Sequence, residues 1–478
     1  MNRAFVLLRW LSLAGATMGV AGGSSMALAQ GSCQPVWTVG LSHQGTNAQI
    51  RAMAVFDDGT GPALYAAGEF TQAGTAAASR IAKWNGSTWS ALGGGLDGTV
   101  WALCGFDDGS GPALYAGGDF TTAGGVAASH LARWKNGAWS AVGGGLNGSV
   151  FALTVFDAAL HVGGAFNLAG TTSANRVARW NGSAWSALGP GLSGGVPLAV
   201  RTLAVFDSGG GPALYAGGGF HTAGSTTVNH VARWDGTAWS ALGTGVGNVV
   251  NTLCAFDDGS GPALYAGGMF VTAGVVQVNH VARWNGVAWS SLAEGLDDDV
   301  NAMAVFDAGD GPMLCLGGYF AGTGAAESRR VIRWNGAWQV FASGIGDDDS
   351  NPCWCDPSCS IACGPKPGYV NALAVVGDAL YAGGSFVSVA GGCVPASNIA
   401  RWACPPATRV RADFDWDGDV DLVDFGHFQA CFNGPNRPYA QRCCEDADFD
   451  ADRDVDLVDF GTFQQCFNGP NRPPYCLP

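Results

Sequence analysis

Apolar and polar positions alternate in short runs along most of the chain. Residues 100–106, 112–118, 130–135 and 138–142 read as four short strands, rich in β-branched and aromatic residues and bounded by turn signals. Asp-Asp-Gly-Ser-Gly-Pro separates the first pair, and Asn-Gly or Asp-Gly commonly separates the last pair, as hairpin turns require. This unit recurs. The pattern Leu-Tyr-Ala-Gly-Gly-x-Phe ends at Phe70, Phe120, Phe166, Phe220, Phe270, Phe320 and Phe386, at intervals of 50, 46, 54, 50, 50 and 66 residues. About fourteen residues after each Phe comes a basic residue followed by Trp: Trp84, Trp134, Trp180, Trp234, Trp284, Trp334 and Trp402.

A second Trp usually follows five residues later, at Trp89, Trp139, Trp185, Trp239 and Trp289, with Trp338 at four. After Trp402 this second half is missing. It stands instead near the other end, as Trp37-Thr38-Val39-Gly40. Four strands per ~40–50-residue repeat is the signature of a propeller blade, and a ring needs its last blade locked to its first. An open solenoid has no use for a permuted half-repeat. The pattern therefore predicts an all-β seven-bladed propeller over residues 30–405, with the N-terminal strand closing the last blade.

Composition agrees. Glycine makes up 75 of 478 residues, and charged residues stand at 13% against a typical ~25%. Apolar residues are 47%, enough for a large core. The net charge of −15 and the scarcity of lysine argue against nucleic acid, because phosphate binding needs a basic stripe. Residues 1–29 have the pattern of an export signal: Arg3 and Arg9 beside an apolar start, then Ala27-Leu28-Ala29 before Gln30. No later stretch is long and apolar enough for a membrane span. The expectation is a secreted or cell-surface protein.

The paired glycines, the preceding Tyr and the later Trp make these units resemble kelch-type repeats of the galactose-oxidase-like propeller class. The resemblance implies architecture more than function, since such propellers host binding and catalysis alike. His130, His230 and His280 occupy one equivalent strand position, shared with Arg80, Arg176, Arg330 and Asn398. Residues so placed on separate blades do not compose a copper site, so no catalytic residue is carried over.

All fifteen cysteines lie beyond the leader, where disulfides persist. Cys33 and Cys404 both fall in the turn joining the halves of the closing blade, so a bond between them would seal the ring; separate partners are the alternative. Cys104, Cys254 and Cys315 read as small buried hydrophobes. Cys353, Cys355, Cys359 and Cys363 cluster in an insertion; four thiolates can bind zinc, but export favours disulfides. Cys393 has no assigned partner.

Beyond a linker at 406–412 the composition changes: residues 408–478 carry 14 acidic and 6 basic groups. Two similar segments start at Asp413 and Asp448. Carboxylates at loop positions 1, 3, 5, 9 and 12 suit Ca²⁺, a hard cation that takes six to eight oxygens. These are Asp413, Asp415, Asp417, Asp421 and Asp424, then Asp448, Asp450, Asp452, Asp456 and Asp459, with Asp419 and Asp454 offering backbone carbonyls at position 7. Without metal, six carboxylates in twelve residues repel one another, so folding is expected to depend on calcium. Apolar residues follow at helical spacing: Leu422, Phe425, Phe428 and Phe432, then Leu457, Phe460, Phe463 and Phe467.

This duplicated loop–helix, closed by Asp at a 35-residue offset, resembles a type I dockerin over 413–478. The resemblance implies an EF-hand-like fold with two Ca²⁺ sites on those aspartates, docking onto a cohesin-like partner, and frequent attachment to polysaccharide-degrading enzymes. Arg453 stands where the first loop has Gly418, a turn position that favours glycine. Both copies read Leu-Val (Leu422-Val423, Leu457-Val458) where dockerins often carry Ser-Thr, a departure from the pattern that meets a standard cohesin. Spacings Cys431–Cys443 or Cys444 and Cys466–Cys476 look like staples for a small module.

Near the entry of the seven inner strands stand Arg51, Trp101, Phe151, Arg201, Asn251, Asn301 and Asn371. They differ while their neighbours stay Ala, Thr, Leu or Met, and form a candidate ligand funnel for a glycan or protein; tolerance of variety at strand ends is the alternative. The recurring Arg or Lys before each first Trp reads as structural. No nucleophile–His–acid arrangement, His-rich metal motif or phosphate-cradling loop stands out. Two functions follow. One is a non-catalytic secreted binding propeller tethered by its calcium module. The other is a polysaccharide-processing hydrolase or lyase delivered by the dockerin-like tail.

Overall fold

The computed structural model describes residues 36–38, 45–324, 327–341, 344–345, 368–389, 394–403, 412–414, 420–433, 444, 447–450 and 453–467. Backbone packing divides the chain into Met1–Cys33 and Gln34–Pro478, and the described residues all belong to the second unit. The expected leader at 1–29, Cys33, Cys404, the cysteine cluster at 353–363, Cys393, Cys443 and Cys476 lie outside them.

The protein is mostly β and is a β-propeller. Seven four-stranded antiparallel sheets are present among the described residues. In sheet 2 the strands are Val100–Asp107, Pro112–Gly118, Leu131–Lys135 and Ala138–Ala141, inner to outer. Sheet 7 is composite: Tyr369–Val376, Ala379–Ser385 and Ile399–Ala403 take Val36–Thr38 as their outermost strand, with Trp37 opposite Trp402. Between the second and third strands of sheets 1 to 5 and 7 sits a small ribbon of two-residue strands, such as Thr122–Ala123 with Val126–Ala127; sequence reasoning did not anticipate it.

The core lies between sheets. Tyr65 and Ile81 of sheet 1 pack with Val100 and Phe120 of sheet 2, and the same join repeats around the ring until Tyr381 and Ile399 of sheet 7 pack with Ile50 and Phe70 of sheet 1. The paired glycines permit this approach. A Cβ on Gly117 would stand 2.3 Å from Val150 Cγ1 of the next sheet, so a side chain there would push the sheets apart. The second Trp of a unit reaches back across the same join: Trp139 Nε1 donates to Leu92 O, and Trp239 Nε1 to Leu188 O, both at 2.9 Å.

The Asp-Asp-Gly turns do more than reverse the chain. Tyr115 Oη donates to Asp108 Oδ2 at 3.0 Å, and Arg133 pairs with the same carboxylate. In sheet 1 Tyr65 and Lys83 converge on Asp58, at 2.9 and 2.6 Å. The basic residue before the first Trp is thus an internal clamp in these sheets. Burial raises the Asp108 pKa, but hydrogen bonds from Ser110, Tyr115 and Arg133 outweigh it and hold the carboxyl at about 2.

The position shared by His130, His230, His280, Arg80, Arg176, Arg330 and Asn398 is also structural. All seven adopt φ between 65° and 72°. The three histidines each bring Nδ1 to a glycine carbonyl of their own sheet, at 3.0 to 3.2 Å. Cys315 is buried as expected, whereas Cys104 and Cys254 are half-buried because they sit on inner strands that line the ring opening.

In the C-terminal segment, helices α1 (Leu422–Cys431) and α2 (Leu457–Cys466) share one small core. Phe428 and Phe463 stack at 5.2 Å, and Phe414 stacks on Phe463 at 5.8 Å. Leu422 and Leu457 do not join this core. Each opens its helix on the solvent side and is 72% exposed. Cys431 bonds to Cys444, not to Cys443, and Cys466 is also disulfide-bonded.

Candidate functional site

The funnel residues share a backbone feature that explains their direction. In every sheet the inner pairing skips one residue: between Ile50 and Ala52, Val100 and Ala102, Val150 and Ala152, and likewise in the remaining sheets. The skipped residues are Arg51, Trp101, Phe151, Arg201, Asn251, Asn301 and Asn371. Each is the extra residue of a β-bulge, which bends the strand and re-aims its side chain. Seven bulges at one level bring seven side chains to one end of the ring.

There they form a belt. Arg201 Nη1 donates to Asn251 Oδ1 at 2.9 Å, Asn251 Nδ2 to Asn301 Oδ1 at 3.2 Å, and Asn301 Nδ2 to Asn371 Oδ1 at 3.5 Å. Asn371 Nδ2 then donates to Ile50 O at 3.0 Å. The Arg51 guanidinium lies 4.7 Å from the Trp101 ring centroid, and Trp101 meets Phe151 edge-on at 5.7 Å. Trp101, Phe151, Arg201, Asn301 and Asn371 line a cavity of about 330 Å³ within the inner strands. Arg51 and Asn251 are absent from its lining and contribute through their belt neighbours. The belt gives these residues a structural role, since each contact ties one sheet to the next, and it also presents a mixed aromatic and polar surface.

Sequence reasoning missed the residues of the Gly-Gly-x-Phe segment that flank the belt. Glu69 pairs with Arg51 at 2.9 Å, and Asp119 accepts from Trp101 Nε1 at 2.7 Å. Both are the x of Gly-Gly-x-Phe (or Ala-Gly-x-Phe), whose variability was the available signal. Tyr319, at the same position, stacks on Tyr369 at 4.5 Å. Asp299, from the acidic run before the sixth inner strand, lies 3.2 Å from His280 Nδ1. Burial and the adjacent Asp298 push its pKa up, against the pull of His280 and Arg201.

The C-terminal loops supply the second candidate. Asp448, Asp450 and Asp459 bring one carboxylate oxygen each within 4.8 Å of one another, and so do Asp454, Asp456 and Asp459. Such a set of hard oxygen donors fits Ca²⁺. Asp459 is 1% exposed and is held by backbone amides: Phe449 N donates to Oδ1 and Asp456 N to Oδ2 at 2.8 Å. Asp456 caps α2 by accepting from Val458 N at 2.7 Å. The first loop repeats the arrangement, with Asp424 accepting from Phe414 N at 2.6 Å and Asp421 N at 2.8 Å. Asp413 is described as well, while Asp415, Asp417, Asp419 and Asp452 lie outside the described residues. Arg453 takes φ 77°, the left-handed conformation that glycine adopts at least cost.

Residues 26–190 match the family profile of the Rax2 C-terminal beta propeller domain. No curated protein sequence matches the chain. Among solved structures, the extracellular domain of BT4673 from B. thetaiotaomicron is similar at 10% identity and a TM-score of 0.44; the match covers 77% of this chain and 39% of that one. The WD40 beta propeller domain of Doa1 is similar at 12% identity and a TM-score of 0.40, covering 77% and 96%. Among the described residues, no helix is long and apolar enough to cross a membrane.

Proposed function

We propose that this chain is a secreted, non-catalytic binding protein: a seven-bladed, kelch-like propeller over 30–405, freed of its leader at 1–29, that carries a dockerin-like calcium module over 413–478. The observation that carries the binding role is the bulge belt. Seven equivalent backbone sites bring seven half-buried side chains of four kinds to one end of the ring, five of them lining one cavity, while the positions that build the sheets repeat. The module would hold Ca²⁺ through Asp413, Asp415, Asp417, Asp421 and Asp424 in one loop, and through Asp448, Asp450, Asp452, Asp456 and Asp459 in the other. Its partner would be a cohesin-like or cell-surface protein. Exposed Leu422, Leu457 and Val458 lend that contact an apolar character.

The test is a panel of immobilised glycans and extracellular proteins probed with the full chain and with Trp101→Ala. Saturable binding that weakens at least tenfold in the variant supports the proposal. Turnover of a polysaccharide, abolished by replacing Glu69, Asp119 or Asp299, would overturn it in favour of a hydrolase or lyase.

A further inference from the structure

The belt contains two guanidinium groups in different circumstances. Arg51 is neutralised by Glu69 at 2.9 Å and covered by Trp101. Arg201 donates to a neutral acceptor, Asn251, and among the described residues no carboxylate lies within 4.0 Å of it. Asp299 acts on Arg201 only from further off, because its carboxylate is engaged with His280. Arg201 is half-buried, so its charge is partly stripped of water without an ion-pair partner in exchange. The amide ladder from Asn251 through Asn371 holds one edge of the guanidinium. On its other side lies Phe151, and among the described residues no hydrogen bond, cation–π or ring contact joins the two.

We infer that the ring mouth binds a saccharide bearing a carboxylate, with Arg201 pairing the carboxylate and the Trp101–Phe151 edge receiving a face of the sugar ring. A guanidinium fork matches a carboxylate with two parallel hydrogen bonds, the strongest polar contact available at this mouth. A cavity of about 330 Å³ is at the small end of ligand sites and accepts a sugar unit. The inference rests on the proposal that the mouth is a binding face.

Calorimetry on the full chain at fixed calcium and low salt tests it, with tri-galacturonate, neutral tri-galactose and tri-glutamate as probes. Tri-galacturonate should bind saturably, and tri-galactose at least tenfold more weakly. Arg201→Gln should weaken tri-galacturonate at least tenfold and Arg201→Lys by less, with circular dichroism confirming that both variants are folded. Equal binding of the neutral sugar, unaffected by Arg201→Gln but lost in Trp101→Ala, overturns the carboxylate assignment and leaves the binding face standing. Tri-glutamate binding in place of tri-galacturonate overturns the saccharide assignment. Failure of all three probes overturns this inference, whereas the binding face itself falls only if the wider panel shows no Trp101-dependent ligand.

Discussion

Replacing Trp37 by Ala removes the only large side chain of a three-residue strand, and the structure allows the loss to be worked out. Trp37 is 1% exposed, pairs with Trp402 and lies 5.3 Å from the ring of Phe341. A buried indole removes ~150–250 Å² from water, worth about 4–6 kcal/mol at ~25 cal/mol per Å² as an upper bound. Large-to-small substitutions of aromatic residues in cores cost ~3–5 kcal/mol. The expected loss is therefore about 3–5 kcal/mol, read as a lower urea midpoint at unchanged slope. Trp139→Ala, at the same position in a continuous repeat, provides the comparison; its indole is 7% exposed and also hydrogen-bonds Leu92. A Trp37 variant that loses less than about 1 kcal/mol while the Trp139 variant loses the full amount would refute ring closure by the N-terminal strand.

Two further outcomes follow from positions that break the repeat. Ser208 stands where Asp58 and Asp108 clamp Tyr65 and Tyr115, and among the described residues the buried Tyr215 hydroxyl has no hydrogen-bond partner; Ser208→Asp should stabilise by about 1 kcal/mol in urea unfolding, and no gain would contradict the clamp. His161 replaces the repeat's Tyr and is 2% exposed, and burial pushes its pKa down from 6.5 to about 4. Because the unfolded chain binds the proton more readily, stability is complete above pH 6.5 and falls as pH drops toward 4, by at most about 1.4 kcal/mol per pH unit. His161→Phe should flatten that segment of the pH profile.

The repeat architecture was legible because its tightest packing positions, the paired glycines and the two Trp, admit few substitutes. Trp37 announced its pairing with Trp402 because it completes a unit that is otherwise half missing. The belt was legible only as a set of variable residues. A bulge is a matter of register between two strands, so nothing in Arg51 or Asn371 alone reveals why it faces the opening. The role of the His130 position was hidden for a related reason: its left-handed backbone suits no single residue type, and the chain fills it with His, Arg or Asn. Helical spacing placed Phe428 and Phe463 correctly in the core but also enrolled Leu422 and Leu457, which periodicity cannot distinguish from core when they sit in a first turn. The choice between Cys443 and Cys444 is likewise one of side-chain direction, which spacing does not encode.

Calcium binding by the proposed C-terminal module is tested most directly by calorimetric titration of Ca²⁺ into the chelator-treated full chain, with circular dichroism followed in parallel. Two saturable binding events accompanied by a gain of helical signal are expected, with the loss of one event in Asp459→Asn, whose carboxylate belongs to both acidic groups of the second loop. No saturable binding, or an Asp459→Asn profile identical to that of the parent chain, would contradict it.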